Sequence, residues 1–207
     1  MESHAPGPDT TSESFIQAAR REQILRSAVA LISELGVERA STVRIARHAG
    51  VSRGVVSYHF GSREELIDRV VEEVYRLAQG EVGPPVATAS TPREALLAFI
   101  EGSIDFYARH PAHMAALVEV FAADRHSSDR SRAGRAEHRR ETADLSALLT
   151  EGQQRGEFRS FDVEVMAATI RAALDAALLH ITSGGAVEVL RAELRRTFDA
   201  ATRKENR

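Results

Sequence analysis

Five arginines stand between Glu38 and Glu64, at positions Arg39, Arg44, Arg47, Arg53 and Arg63. His48 and His59 lie among them, and no acidic residue does. The whole chain of 207 residues carries a formal charge of -3. A cation-bearing window in an acidic protein is a local electrostatic footprint, and DNA phosphate is the partner it best suits. The residue types fit that chemistry. Arginine can pair in bidentate fashion with a guanine edge or hold a phosphate, and tyrosine and histidine can donate to phosphate oxygens. A solvated helix face is the alternative for Arg39 and Arg47, and His48 reads as a bystander.

Such residues need a frame, and the same window spells one. Thr42 suits the N-cap of a short helix over about 43–49, stopped by Gly50. Ser52 then caps a helix over about 53–59. Ser62 and Glu65 form a capping box that opens a further helix reaching about Gln79. Ile45, Ala46, Ala49, Val51, Val56 and Phe60 are spaced to make a small core against the neighbouring helices. That leaves Arg53, Gly54, Val55, Ser57 and Tyr58 facing outward. In a helix-turn-helix the second helix enters the major groove. Arg53 would then read guanine or phosphate, and Val55 a thymine methyl. Gly54 would allow close approach, with Ser57 beside it. Arg44, Tyr58, His59 and Arg63 would hold the backbone, helped by the helix starts at Thr42, Ser52 and Ser62.

The segment 42–60, Thr42-Val43-Arg44-Ile45-Ala46-Arg47-His48-Ala49-Gly50-Val51-Ser52-Arg53-Gly54 followed by Val55-Val56-Ser57-Tyr58-His59-Phe60, resembles the signature of the TetR family. The preceding helix with Ile24 and Leu25, ending at Gly36, and the following Arg63-Glu64-Glu65-Leu66 match as well. Ser57 departs from the tyrosine or leucine of many members. The resemblance covers about residues 20–70. It implies an all-α homodimer that binds double-stranded DNA at a palindromic operator, and a C-terminal domain that binds a small effector. Most such proteins are repressors released by ligand. Gly156-Glu157-Phe158 and the region of Asp175 are similar to the BetI-type branch.

The rest of the chain reads as helices rich in Ala, Leu, Arg and Glu, about nine in all, with no strand pattern. The expected divisions are a disordered arm at 1–14, the DNA-binding domain at 15–62, a linking helix at 63–80 and a ligand-binding and dimerisation domain at 81–207. Gly80 to Pro92, with Gly83, Pro84 and Pro85, reads as a bend. Phe99, Ser103, Phe106, Tyr107, Met114, Leu117, Phe121, Leu145 and Leu149 are candidates to line an apolar cavity with a few polar handles, Asp175 among them. A packed helical core is the alternative. Met166, Ile170, Leu174, Ala177, Leu178 and Ile181 form one apolar stripe and Leu190, Leu194 and Phe198 another. Paired across a two-fold axis they would make a four-helix bundle.

Other chemistry finds little support. There is no cysteine, hence no disulfide or thiolate site. His110 and His113 stand three apart without evident supporting carboxylates, so no metal and no cofactor is expected. No nucleophile motif or phosphate-binding glycine loop points to an enzyme. No apolar run approaches a membrane span and no signal peptide opens the chain, so no membrane partner and a cytoplasmic location are expected. The competing functions are a helical adaptor that binds protein instead of DNA, and a DNA-binding activator without ligand release.

Overall fold

The computed structural model describes the backbone of residues 10–126 and 132–204, and side chains over 15–123, 137 and 139–204. Among these residues every regular element is an α-helix. In order they are α1 (Thr10–Leu35), α2 (Thr42–His48), α3 (Arg53–Phe60), α4 (Arg63–Thr88), α5 (Pro92–Arg109), α6 (Pro111–His126), α7 (Arg132–Gln154), α8 (Val163–Thr182) and α9 (Val187–Thr202). The all-α expectation and the sequence of helices hold. Residues 1–9 of the expected arm, residues 127–131 and residues 205–207 lie outside the described residues. Residues 10–14, expected in the arm, belong to α1.

Local chemistry sets most helix starts. The hydroxyls of Ser52, Ser62 and Thr91 and the carboxylate of Asp162 accept hydrogen bonds from N–H groups one turn on. At α2 the cap is Ser41, not Thr42: Ser41 Oγ accepts from the Arg44 N–H at 3.4 Å, and Thr42 is the first helical residue. Both hydroxyl residues suit a cap, and the extended backbone at Ser41 decides between them.

The largest departure is at α4. Gly80, Gly83, Pro84 and Pro85 do not break the helix; α4 continues through them to Thr88. Pro84 and Pro85 leave the carbonyls of Gly80 and Glu81 without their usual donors. Gly80 offers no compensating contact, since the place where its Cβ would stand is open. Packing supplies the compensation. Val82 is buried, and a Cβ on Gly102 of α5 would lie 3.3 Å from Val82 Cγ1, so α4 and α5 pack closely at this point. Tertiary contact outweighs the local penalty.

α5 is the central strut, touching α4, α6, α7, α8 and α9. Leu96, Ile100, Ile104 and Phe106 on it are almost wholly buried. α8, 20 residues long, is long and apolar enough, by length and composition, to cross a bilayer, with mean hydropathy 1.4 over an 18-residue window. That corrects the expectation that no run approaches such a span. Its inner residues Ala167, Ile170 and Leu174 are buried in the core, and it carries the charged Arg171 and Asp175.

The C-terminal end is tied to the middle of the fold. Phe158 and Arg203 form an isolated antiparallel bridge, and Lys204 N–H donates to the Glu157 carbonyl at 3.0 Å. Arg93 grips Asp199 with two bonds of 2.6 and 2.8 Å, joining α5 to α9. The Arg93 hydrogen bond holds the Asp199 carboxyl below its ordinary range. A depressed folded-state value means the pair stabilises above the unfolded value near pH 4, and that this is lost as pH falls through the folded one. Asp199→Asn is therefore expected to lower stability by about 1 kcal/mol at pH 7. In thermal melts the deficit should vanish near pH 2; a deficit of equal size at both pH values would refute the pairing as its source.

A second expectation concerns Gly152. A Cβ there would stand 2.1 Å from the buried Phe158 ring. Gly152→Ala should gain about 1 kcal/mol of helix propensity and lose about 1–3 kcal/mol to overpacking. The urea midpoint should fall at constant slope. A raised midpoint would mean that the ring moves aside freely.

Candidate nucleic-acid interface and ligand cavity

α2 and α3 cross as a brace and a reader. Ile45, Ala46 and Ala49 are buried under α2, and Val56 and Phe60 under α3. Gly50, at φ +65°, turns the chain between them, and Val51 N–H donates to the Ala46 carbonyl at 2.9 Å. Gln23 of α1 locks the turn by donating to the Ala49 carbonyl at 2.7 Å. This leaves Arg53, Gly54, Ser57 and Tyr58 exposed along one side of α3, with Val55 and His59 half-buried at its edges. Tyr58 is 74% exposed and its ring meets His59 edge-on at 5.2 Å. Arg44, Arg47, His48 and Val43 are exposed on α2, and Thr42 is half-buried.

Two features were not legible from the window alone. Arg63 is not free to reach outward in this conformation: its Nη2 donates to the Val37 carbonyl at 2.5 Å, fastening the start of α4 to the end of α1. The surface beside α3 is also wider than α2 and α3 together. Ile16, Gln17 and Arg20 from the first turns of α1 share a shallow groove with Ser52, Gly54, Val55, Tyr58 and His59. Of the adjacent Arg20 and Arg21, only Arg20 is exposed and reaches this groove; Arg21 is half-buried, its guanidinium over the Phe60 ring at 5.3 Å.

Between α4, α5 and α7 opens a cavity of about 550 Å³. A second chamber of about 260 Å³, here called the inner one, adjoins it on the side of α6 and α8 and is walled by α4, α5, α6, α7 and α8. Tyr75, Ala78, Phe106, Tyr107 and Glu141 line both. Of the sequence candidates, Phe99, Ser103, Phe106, Tyr107 and Leu145 stand on the outer wall, and Phe106, Tyr107, Met114, Leu117, Phe121 and Asp175 on the inner. Leu149 does not reach either chamber; it is fully buried in the core. The outer wall carries the carboxylates Glu72, Glu137, Glu141 and Asp144 against the guanidiniums Arg76 and Arg140.

The polar centre is Arg171 of α8, whose side chain is only 10% exposed. It donates from Nη1 to Glu141 at 2.8 Å and from Nη2 to Asp175 at 3.3 Å. Burial opposes its charge, yet Glu141, Tyr107 and Asp175 hold its pKa above the ordinary value. Burial pushes the Tyr107 hydroxyl up to about 12 and raises that of Tyr75 as well, so both rings face the cavity as neutral phenols near pH 7. Arg171, Glu141 and Tyr75 were absent from the sequence candidates. They come from three helices, and no local pattern brings them together.

The fold recurs in known proteins. Residues 24–70 match bacterial regulatory proteins of the tetR family, and residues 92–205, more than half of the chain, match the C-terminal domain of BetI-type transcriptional repressors. The chain belongs to the TetR family. The transcriptional regulator BetI of Cronobacter sakazakii is 32% identical over 135 residues, which are 64% of this chain and 66% of that relative. The match thus spans just under two thirds of the relative's own length. A transcriptional regulator of Saccharomonospora viridis in complex with choline superposes with a TM-score of 0.79 at 19% identity, covering 91% of this chain and 100% of that one. FadR of Bacillus subtilis in complex with stearoyl-CoA gives 0.75 at 19% identity, covering 87% and 98%. At such identities the shared property is the fold. Proteins of the TetR family are regulators and not enzymes.

In this TetR-family chain the residues expected at a dimer interface point mainly inward. Ile170, Leu174, Ala177, Leu178 and Phe198 are buried within the single chain, and Met166, Ile181, Leu190 and Leu194 are half-buried. α8 has a second apolar stripe on its opposite face: Val165, Ala168, Ala172, Ala176 and Leu179 are all exposed. Val165 and Leu179 at its ends are 64% and 60% exposed, and Val189 on α9 is 62% exposed. The small Ala168, Ala172 and Ala176 between Val165 and Leu179 permit close approach of another helix.

Proposed function

We propose that this chain is a transcriptional repressor that binds a palindromic operator as a homodimer and is released by a small organic cation. The observation that carries the DNA-binding part is the exposed side of α3. Arg53, Gly54, Ser57 and Tyr58 project there from a rigid, capped helix in a window with no carboxylate. Phosphate repels acidic side chains, so an acid-free reading face suits duplex DNA better than a protein partner. Action on DNA places the protein in the cytoplasm. The outward stripe of α8, with Val189 of α9, suits a two-fold bundle with a second copy. That would set two α3 helices in successive major grooves, about 34–36 Å apart or a multiple of this.

The chemistry of the cavity supports a cationic effector. Aromatic faces attract cations through their quadrupoles, and Tyr75, Phe99, Phe106 and Tyr107 supply four rings beside an acidic wall. The choline complex of the structural neighbour fits this reading. Transmission would run through α6 and α4. α6 lines the inner chamber with Met114, Leu117, Val118 and Phe121 and packs against α1 on its other side. Glu119 Oε2 lies 2.9 Å from the point where Gly36, at the end of α1, would carry a Cβ. A ligand that separates α6 from α4 would thus tilt the reading head. Its leverage equals its difference in affinity between the two states.

The test is a selection of genomic fragments by the purified protein. A two-fold symmetric motif upstream of genes, released by cation, is the expected outcome. Failure to enrich any motif at low salt would overturn the repressor reading.

A further inference from the structure

The surface beside the reading helix does not end at α3. Ser52, Val55 and His59 mark one edge of that helix, and Ile16, Gln17 and Arg20 of α1 border the same edge across the shallow groove. All three α1 residues are exposed. A relay of hydrogen bonds fixes their place. Arg20 Nη1 donates to Gln23 Oε1 at 2.9 Å, and Gln23 Nε2 donates to the Ala49 carbonyl at 2.7 Å, in the turn that leads into α3. The Arg21 guanidinium lies over the ring of Phe60, the last residue of α3. α1 is thus fastened near both ends of the reading helix, and the bond to Gln23 leaves the rest of the Arg20 guanidinium to the groove.

Charge along this stretch continues that of the head. Between Glu13 and Glu22 there is no acidic residue, and Arg20 and Arg21 both fall there. Glu22 is held by Arg26 at 2.6 Å, and its charge is felt by Arg76 of α4. A helix seated in the major groove has a phosphate strand along each side, and phosphates are held by guanidinium, amide and hydroxyl donors. We propose that Gln17 and Arg20 form a second DNA-contacting site, holding phosphates of the strand that runs along the edge of α3 marked by Ser52, Val55 and His59. Duplex DNA is the occupant because the groove is continuous with the exposed side of α3 and is cationic without a carboxylate. The match to the tetR family model begins at Ile24, so Gln17 and Arg20 precede the part of the head that it covers. Such contacts add affinity and carry no base information, so the sequence read by α3 is unaffected. This rests on the reading of α3 as the helix in the groove.

The test is titration of the full chain, over a salt series, with the DNA fragment that the genomic selection recovers. Arg20→Ala should weaken binding by about tenfold, the order expected for a lost hydrogen bond from a charged donor. It should also flatten the slope of log affinity against log salt by about 0.9 per bound chain. The selected motif should not change. The site is exposed and alanine favours helix, so the variant should melt like wild type. Arg20→Lys keeps the charge and should restore the slope, which a role confined to orienting Gln23 would not do. Gln17→Ala should weaken binding at unchanged slope, because a neutral amide releases no counterion. Ethylation interference locates the contact: a phosphate whose modification impairs wild type should make no difference to Arg20→Ala. A wild-type slope and interference pattern in Arg20→Ala, or a loss that Arg20→Lys does not restore, overturns the proposal and leaves the reading of α3 intact. A wild-type chain that binds no fragment at low salt overturns both.

Discussion

Ala172→Arg is expected to split the proposed dimer and weaken binding to the proposed operator by about 100- to 10,000-fold, the range over which linking two binding modules raises avidity. Ala172 sits in the middle of the exposed stripe formed by Val165, Ala168, Ala176 and Leu179. A long charged side chain there would hold two α8 helices apart and bury a guanidinium without a partner. The single chain should be unharmed, since the site is exposed within it. Sedimentation velocity should report a monomer with an unchanged helical signal, and operator titration the loss. Ile170→Ala provides the contrast. Ile170 is fully buried inside one chain, so truncation should cost about 2–5 kcal/mol of folding stability without preferentially splitting the dimer. A dimer that survives Ala172→Arg would place the interface elsewhere.

Ser57→Glu should abolish specific binding by another route. Ser57 is exposed on α3, one turn beyond Arg53, and the nearest carboxylates in the chain are Glu38 and Glu64. A carboxylate there would face the phosphates, and like-charge juxtaposition at an interface costs several kcal/mol. Operator affinity should fall by about 100-fold or more at low salt, with melting temperature and dimer mass unchanged. The deficit should narrow as salt rises and screens the repulsion. Unchanged affinity would show that α3 is not the helix in the groove.

The reading head was legible because its determinants are local. Caps at Ser52 and Ser62, the turn at Gly50 and the absence of acid between Glu38 and Glu64 all lie within 30 residues of sequence. α4 was misread for the complementary reason. Gly80, Gly83, Pro84 and Pro85 argue for a break when taken alone, and only the close packing of Val82 against Gly102 reveals why the helix continues. The cavity was half legible. Aromatics of α5 and α6 suggested walls, but Tyr75 and Val82 were overlooked because α4 was given only a linking task. Arg171 and Glu141 lie 30 residues apart and meet only in the folded chain. In α8, periodicity revealed an apolar face but not that there are two. The inner face carries Ile170, Leu174 and Leu178 with the small Ala167 and Ala177, and the outer one Ala168, Ala172 and Ala176 between Val165 and Leu179, so residue type alone does not tell them apart.

The unbroken course of α4 bears on how such a protein can be recombined. One end of the helix holds the head, through Arg63 on the Val37 carbonyl; the other packs against α5, through Val82 on Gly102. Sensor and reader therefore share a rod. A chimera joined at position 80 would splice two unrelated halves of one helix and mismatch a buried face. The joints that leave every helix whole are at Gly61, before α4, and at Ala89 to Ser90, after it. A foreign head grafted at Gly61 would answer to this cavity only if it offered Arg63 a carbonyl and α6 a matching end of α1. Responsiveness is thus a property of the seam, and exchanging operators between such regulators is a problem of fitting two small contacts as well as of choosing a new α3.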